Sequence, residues 1–366
     1  MARPGTLLVT RPEQRLRLLP TNWYKAFVVL LAVVWLTVPI NLSDAWLDVL
    51  ARCGVAAIGA IGLNLLTGYT GQISLAHAFF IAIGAYTAAW LGVRNDLPFL
   101  LWLPATFVVG ALVGALFGPF ALRVRGDYLA ILSIGLLYIG QHIFVNWTSF
   151  TGGRPGTSTG APAAIGPLDF ADLNLFDQAY SRRQGLFWLV WLVVAIVALL
   201  ARNIVRTRPG RAMQAVRDRD VAAEVVGVSN ARYTISAFAL SSGLAAVAGG
   251  LYGVVALTVS PADFGGAPGL LLSVQYVAMI IIGGIGTIGG AVAGAVVVVA
   301  IPRVIEQISN SVAIPFVGPG EPISLFAFNN MIYGALVIVT LVFEPRGMVA
   351  GWERVKAYWR TWPLAD

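Results

Sequence analysis

Side chains that could do acid–base or nucleophilic chemistry are few in this sequence. The two histidines, His77 and His142, lie far apart, and carboxylates such as Asp96 and Glu344 fall at the ends of apolar segments. A catalytic centre needs a nucleophile, acid/base groups or metal ligands that converge on one point. The sequence therefore predicts no catalytic residue and no metal site.

ATP hydrolysis by a phosphate-binding loop is also not predicted. Such a loop carries a lysine directly after its glycines, but the lysines here are Lys25 and Lys356, and neither follows a Gly-x-x-x-x-Gly pattern. The single cysteine, Cys53, permits no intrachain disulfide and is expected to be buried. Ionisable groups at membrane depth are scarce too, so any uphill transport would need energy from another subunit. We expect no cofactor bound by this chain.

The elements that must position any site are apolar helices. Hydrophobic residues make up 58% of the chain and charged residues 11%, a composition that indicates an all-α, polytopic membrane protein. Long segments nearly free of charge approach the roughly 20 residues that a helix needs to cross a bilayer. They are Lys25 to Asn41, Val55 to Leu66, Ile73 to Gly92, Phe99 to Leu122, Tyr128 to Trp147, Leu186 to Ala201, Tyr233 to Leu257, Leu270 to Ile301 and Ser324 to Phe343.

Charge in the connecting segments predicts the topology. The segment 202–232 is rich in arginine, which places it in the cytoplasm, and the same rule places the tails 1–24 and 346–366 there. The segment 148–184 balances its charges and should form an outer loop of the permease domain, residues 25–345. The net charge of +7 is thus explained by topology, and no nucleic-acid partner is expected.

Two apolar runs should contain glycine-rich turns on the cytoplasmic side. Parity requires an even number of crossings in Leu270 to Ile301, with the turn at Gly283–Gly290; a similar break is expected at Thr67–Gln72. This gives about ten transmembrane helices. Small residues spaced four apart predict close helix packing, at Gly110, Gly114 and Gly118, at Gly249 and Gly253, and at Gly286, Gly290 and Gly294.

The segment 202–232 contains a pattern of two short helices. Thr207-Arg208-Pro209 is a typical helix start, Asp218 or Asp220 could cap a second helix, Val221 to Val226, and Gly227 would end it. A short helix at the membrane surface could seat in a groove of an ATPase and carry its motion into the spans. An interfacial hairpin with no partner is the alternative.

The chain resembles the longer permease subunit of LIV-type branched-chain amino-acid ABC importers. The resemblance rests on ordered blocks: Gly62 to Phe80, Arg125 to Ile131, Thr151 to Gly153, Gly210 to Gly227, Gly283 to Gly290 and Phe343 to Gly347. It implies a second related permease, two ATPases that carry ATP and Mg²⁺, and a periplasmic or extracellular substrate-binding protein. The complex would lie in the bacterial inner membrane, in contact with membrane lipid. It also implies a coupling helix made of Val221, Ala222, Ala223, Glu224, Val225, Val226 and Gly227.

A path for an amino-acid zwitterion should be lined by neutral polar groups and helix N-termini. The candidates are Asn64, Gln72, Ser74 and His77 near the first turn, with Ser74 and His77 on one helix face, and Gln275 and Thr287 near the second turn. Alternatively, these groups only form hydrogen bonds with neighbouring helices and do not line a path. Other substrates, urea or short amides, and another class of protein, a passive channel or secondary carrier, are the alternatives left open.

Overall fold

A computed structural model describes residues 22–124, 127–166, 168–175 and 178–311, and single residues between 327 and 354. The chain divides into two units, Met1–Ser43 and Asp44–Asp366. The first contains helix α1, Asn22–Asn41, which carries the apolar stretch Val29–Asn41. The predicted span Ser324 to Phe343 and the predicted tails 1–24 and 346–366 lie mostly outside the described residues.

The second unit is built mainly from helices. They are α2 Asp44–Thr70, α3 His77–Ala88 with a π-helical extension Ala89–Arg94, α4 Phe99–Arg123, α5 Asp127–Asn146, α6 Thr148–Thr151, α7 Arg182–Arg206, α8 Arg208–Asp218, α9 Asp220–Val225, α10 Asn230–Ala256, α11 Pro261–Phe264, α12 Gly266–Gly283 and α13 Ile288–Ser311. Short strands form three antiparallel pairs: β1 Thr157–Ser158 with β6 Thr258–Val259, β2 Ala164–Ile165 with β3 Leu168–Asp169, and β4 Asn174–Leu175 with β5 Gln178–Ala179.

In the part of the chain that the structure describes, seven helices are long and apolar enough to cross a membrane: α2, α4, α5, α7, α10, α12 and α13. The predicted break in the run Leu270 to Ile301 is present, because α12 ends at Gly283 and α13 begins at Ile288. The count of about ten crossings and the orientation of the termini stay predictions.

Helices α2, α3 and α10 form the centre of the bundle. The most apolar windows of α2 and α10 are both 83% buried, against 28% for α4 and for α5, and every residue of α3 is buried. Small residues allow the central backbones to approach closely. A Cβ atom built on Gly249 of α10, for example, would lie 1.8 Å from the carbonyl oxygen of Ile81 in α3.

The glycines spaced four apart lie at several kinds of contact. Those of α4 face α10, Gly253 faces Thr159 in the segment before β2, and Gly290 and Gly294 face α12. Gly286 differs, because it lies in the turn before α13 with a φ of +78°. The glycines of α4 are Gly110, Gly114 and Gly118.

The two ends of α10 define two ends of the bundle. At its start, Asn230 Nδ2 donates to the Asp220 carbonyl, so α9 lies there; we call this the α9 end. At its finish, the Thr159 hydroxyl donates to the Gly253 carbonyl and β6 pairs with β1; we call this the hairpin end. Helix α2 starts at the hairpin end, where Ser181 Oγ donates to Asp44 Oδ1 over 3.0 Å.

Candidate functional site: two glycine turns and a coupling segment

The first glycine turn leads into a non-helical segment, Gly71 to Ala76, between α2 and α3. Gly71 has a φ of +73°, which favours glycine. Two serines from other helices bind the backbone that follows: Leu75 N donates to Ser133 Oγ (2.7 Å) and Ala78 N donates to Ser273 Oγ (3.1 Å). Side chains of α5 and α12 therefore hold the end of this segment and the first turn of α3, where the backbone lacks helical partners.

Helix α3 begins deep inside the bundle, at His77. The buried His77 ring lies 4.7 Å from the Tyr276 ring of α12 and interacts with the backbone of Gly59 in α2. Gly59 precedes the end of α2 by about 16 Å along the helix, from the 1.5 Å rise per residue. An interrupted helix at this depth is typical of substrate sites in transporters. The His77 Nε2 atom is buried and has no hydrogen-bond partner within the described residues.

The second glycine turn, Gly284 to Thr287, is joined to the first by Asn64. The buried Asn64 side chain donates from Nδ2 to the Thr287 carbonyl and accepts at Oδ1 from Gly286 N, both over 2.9 Å. The backbones also meet directly, because a Cβ atom built on Gly68 would lie 2.6 Å from Gly286 N. The two turns therefore form one structural unit, which we call the double turn.

Arg217 connects the double turn to the segment that contains α8 and α9. Its Nη1 donates to the Gly68 carbonyl over 2.6 Å, and its Cγ would lie 3.0 Å from a Cβ atom built on Gly71. The beginning of the C-terminal tail meets the same place, since a Cβ atom built on Gly347 would lie 2.5 Å from Gly284 Cα. Movement of α8 would therefore act on the double turn directly.

Helices α8 and α9 bury one side and expose the other. Met213, Val216 and Ala223 are buried, whereas Val221, Val225 and Val226 are 68%, 83% and 76% exposed. The start of α9 differs from the expected aspartate cap: Arg219 holds the cap position, and Asp220 in the first turn accepts from Val221 N over 2.8 Å. Gly227 has a φ of +85° and follows the helix end, as the sequence indicated.

The structure brings the predicted path residues together in two groups. Asn64 and Thr287 meet in the double turn, whereas His77 lies in the middle of the bundle beside Tyr276, the neighbour of Gln275. Ser74 and the partly buried Gln72 lie in the non-helical segment. Ser74 therefore does not share a helix face with His77, because α3 starts only at His77.

Sequence reasoning missed the residues that hold these groups in place, which are Ser133, Ser273, Tyr276 and Arg217. The serines are the easiest to find in retrospect, because each is a polar residue within an apolar segment. Their partners lie 58 and 195 positions away, and nothing in the local sequence indicates them.

Charged side chains cluster at the hairpin end between α2, α7 and α13. Arg52 Nε donates to Asp48 Oδ2 (2.8 Å), and Arg303 Nη1 donates to Glu306 Oε2 (2.6 Å). With Arg183 these residues line a cavity of about 580 Å³. The pairs are partly exposed, so their net contribution to stability is small.

Comparison with known families decides the class of this bundle. The family described as branched-chain amino acid transport system / permease component matches residues 45–341. The chain belongs to this permease family. The matched region contains α2 to α13, with the double turn, the interrupted helix and the α8–α9 segment.

Curated relatives of this permease are similar along most of their length. The high-affinity branched-chain amino acid transport system permease protein LivM of Salmonella typhimurium is 28% identical over 338 residues, covering 89% of this chain and 75% of the relative. LivM of Escherichia coli K12 gives the same values. LivH of Salmonella typhimurium is 26% identical over 307 residues, covering 80% of this chain and 90% of the relative. No solved structure gives a significant match.

Membership of the permease family, together with the apolar helices, makes this chain a multi-pass membrane protein with a role in transport. The expected branched-chain permease family is thus confirmed. In this setting the exposed apolar side chains of α4 and α5, among them Leu112 and Leu116, suit contact with lipid or with another membrane subunit.

Proposed function

We propose that this chain is a permease subunit of an ATP-driven importer that moves amino acids, chiefly branched-chain amino acids, across the bacterial inner membrane. The curated relatives carry branched-chain amino acid permease names, and the interrupted helix α3 suits a transport site. The observation that carries the proposal is the contact between α8 and the double turn through Arg217. A passive channel would have no need of a linked helix pair at this place.

The proposed topology has about ten crossings with both termini in the cytoplasm. The α9 end then faces the cytoplasm and the hairpin end faces outward. The arginine-rich segment 202–232 and the double turn share the α9 end, which agrees with this orientation. The segment 148–184, with its two small hairpins β2–β3 and β4–β5, would meet a substrate-binding protein on the outer side.

Helix α9 together with the following Val226 and Gly227 forms the proposed coupling helix, Val221 to Gly227. Ala223 is buried and anchors the helix, whereas the exposed Val221, Val225 and Val226 would enter a groove of a partner ATPase. Exposed apolar clusters on a polar segment are typical of docking surfaces. The chain itself would bind no cofactor; ATP and Mg²⁺ would belong to two ATPase subunits, and a second, related permease would complete the membrane part.

The proposed path follows the polar groups from the hairpin end to the double turn. Gln275 and His77 would meet the substrate in the middle of the bundle, and Ser74, Gln72, Asn64 and Thr287 would follow toward the α9 end. Motion of α8 would change the double turn and thereby the segment Gly71 to Ala76. This route joins ATP-driven movement to the place where α3 is interrupted.

The test is leucine uptake by the complex of this chain with its partner permease, ATPases and binding protein in proteoliposomes. Glu224→Arg, or deletion of Val221 to Val226, should abolish ATP-driven uptake while the chain stays in the membrane. Asp96→Arg is the matched control, because it makes the same charge reversal at an exposed residue between α3 and α4, outside both the coupling helix and the segment 148–184. Uptake that persists in the Glu224→Arg and deletion variants would refute the coupling role.

Substrate choice is tested with the same proteoliposomes. ATP hydrolysis should be stimulated by leucine, isoleucine and valine more than by urea or acetamide. Stimulation by urea or amides alone would favour the alternative substrate class. Downhill solute flux without ATP would favour a channel or secondary carrier.

A further inference from the structure

A cavity lies between α3, α10, α11 and α12, beside the start of α3. Its volume of about 530 Å³ falls within the roughly 300–1,000 Å³ of small-molecule sites. It reaches from α11 at the hairpin end to Tyr276 in the middle of α12, whose ring packs on His77. A solute in this cavity would therefore contact the first turns of α3.

The lining of the cavity combines one charge with polar and aliphatic groups. Asp263 carries the charge among the described lining residues, and one of its oxygens accepts from Ser260 N over 2.7 Å. Gln275 and Tyr252 supply neutral polar groups, and the other walls are largely apolar. The apolar side chains include Leu271, Leu272 and Phe264.

A hydrogen-bond donor supported by a cation stands near this carboxylate. The guanidinium of Arg52, paired with Asp48, also interacts with the Tyr252 hydroxyl, which lies within the electrostatic influence of Asp263. Tyr252 itself lines the cavity, and its O–H can donate a hydrogen bond to an acceptor there. Asp263 and Tyr252 line the same cavity, and a carboxylate and a hydroxyl donor complement the α-ammonium and the α-carboxylate of an amino acid.

A second observation concerns the hydroxyl of Tyr86 in α3. Tyr86 is fully buried, and its hydroxyl finds no hydrogen-bond partner among the residues that the structure describes. The charge of Asp263 acts on this hydroxyl as well. Buried polar groups in native proteins nearly always have a partner, so the Tyr86 hydroxyl is an unpaired polar group in α3, the helix that also contributes Ile81 to the cavity wall.

We propose that this cavity is the substrate site of the permease and that it takes an α-amino acid with an aliphatic side chain. Asp263 binds the ammonium, the Tyr252 hydroxyl binds the carboxylate, and Leu271, Leu272 and Phe264 surround the side chain. The inference rests on the proposed transport function and names the residues that would hold its substrate. Urea and short amides carry no cation for Asp263 and would leave the apolar walls unfilled.

Site occupancy is tested with a thiol placed in the wall. Cys53 is the single cysteine of this chain and is buried, so Leu272→Cys gives this chain one accessible thiol, and its labelling is followed on the band of this chain in the reconstituted complex. Leucine at twice its dissociation constant should slow maleimide labelling about threefold. Val274→Cys is the control, because Val274 lies on the same helix and is exposed but does not line the cavity; its labelling should not respond to leucine.

The role of Asp263 is tested by adding Asp263→Asn to Leu272→Cys. The amide keeps an acceptor for Ser260 N, so the local turn is preserved. Loss of a charged hydrogen bond should weaken protection by leucine about tenfold or more. Protection by 4-methylpentanoate, which has no ammonium and is repelled by the Asp263 carboxylate, should not weaken, and an equal loss for both compounds would refute the ammonium contact.

Two failures are distinguishable. If the complex takes up leucine with ATP but leucine leaves Leu272→Cys labelling unchanged, the cavity is not the substrate site and the transport function stands. If the unaltered complex takes up no branched-chain amino acid, the proposed function itself fails.

Discussion

The two glycine turns have similar sequences but different structures. From Gly71 to Ala76 the chain is non-helical for six residues, and α3 starts in the middle of the bundle. After Gly284 the chain turns at once, and α13 starts at Ile288. The first turn therefore creates an interrupted helix, whereas the second forms a tight helical hairpin.

The contacts beyond the turns explain this difference. Gly283 and Gly290 let α12 and α13 touch along their backbones, since a Cβ atom built on Gly283 would lie 1.9 Å from the Gly290 carbonyl oxygen. After the first turn, the backbone instead bonds to Ser133 and Ser273 of other helices. Packing fixes the second turn, and hydrogen bonds from outside fix the first. Hydrogen bonds to Ser133 and Ser273 can break and form again during a conformational change, whereas close backbone packing cannot. A gate in the proposed path is therefore expected at the first turn.

The largest effect should come from filling the close contact after the second turn. In Gly294→Ala the new Cβ atom would lie 1.9 Å from the Met279 carbonyl oxygen, and α12 and α13 would have to separate. We expect a loss of about 3 kcal/mol or more in the free energy of unfolding, since neither backbone can give way locally. Thermal unfolding of the purified chain in detergent, followed by tryptophan fluorescence, measures it.

Gly289→Ala is the matched control for that experiment. A Cβ atom there meets nothing within 4 Å, and alanine is the better helix former by about 1 kcal/mol. We expect unchanged or higher stability. Equal destabilisation by the two substitutions would contradict the packing explanation.

The next largest loss of stability should come from removing the two Asn64 hydrogen bonds between the turns. Asn64→Leu removes both hydrogen bonds of the double turn and leaves Gly286 N and the Thr287 carbonyl without them. The Thr287 carbonyl keeps its bond from Ala291 N over 3.1 Å, whereas Gly286 N loses its partner. An unsatisfied donor costs about 1–3 kcal/mol and a lost hydrogen bond about 1 kcal/mol, so we expect about 2–4 kcal/mol in unfolding free energy.

Thr67→Ala is the comparison for Asn64→Leu. Thr67 Oγ1 donates to the Gln72 carbonyl over 3.0 Å, within the first turn alone, so about 1 kcal/mol is expected. If Asn64→Leu cost no more than Thr67→Ala, the turns would not act as one unit.

A smaller effect is expected from the serines that hold the first segment. Ser133→Ala leaves Leu75 N without its bond and Ser273→Ala does the same to Ala78 N; each should cost about 1–2 kcal/mol in thermal unfolding. Ser236→Ala is the control, because Ser236 bonds only the Tyr233 carbonyl of its own helix. Equal small losses in all three variants would show that the serines do not hold the segment.

The sequence predicted the parts of this comparison that depend on local patterns. Glycine content and parity located the break between Gly283 and Ile288, and Gly227 marked the end of α9. The start of α3 was expected at Ile73, four residues early, because an apolar non-helical segment and an apolar helix can have the same composition. The partners of Asn64, Ser133 and Arg217 depend on packing between distant segments, which periodicity does not encode.

The smallest effect on stability should come from Arg217→Lys, although its effect on transport should be large. Arg217 is partly exposed, with 39% of its side chain accessible, so we expect less than about 1 kcal/mol in unfolding free energy. Lysine offers a single point charge in place of the guanidinium fork, and cannot hold Gly68 and Asp218 together as Arg217 does. Arg208→Lys, an exposed position on the same helix, is the control.

The measurement for Arg217→Lys is the number of leucine molecules taken up per ATP hydrolysed by the reconstituted complex. If α8 drives the double turn through Arg217, this ratio should fall several-fold in Arg217→Lys while ATP hydrolysis continues, and it should stay constant in Arg208→Lys. A constant ratio in both variants would mean that the force enters elsewhere. A fall in hydrolysis and uptake together would assign Arg217 to ATPase docking instead, so the experiment separates the docking of the motor from the movement of the gate.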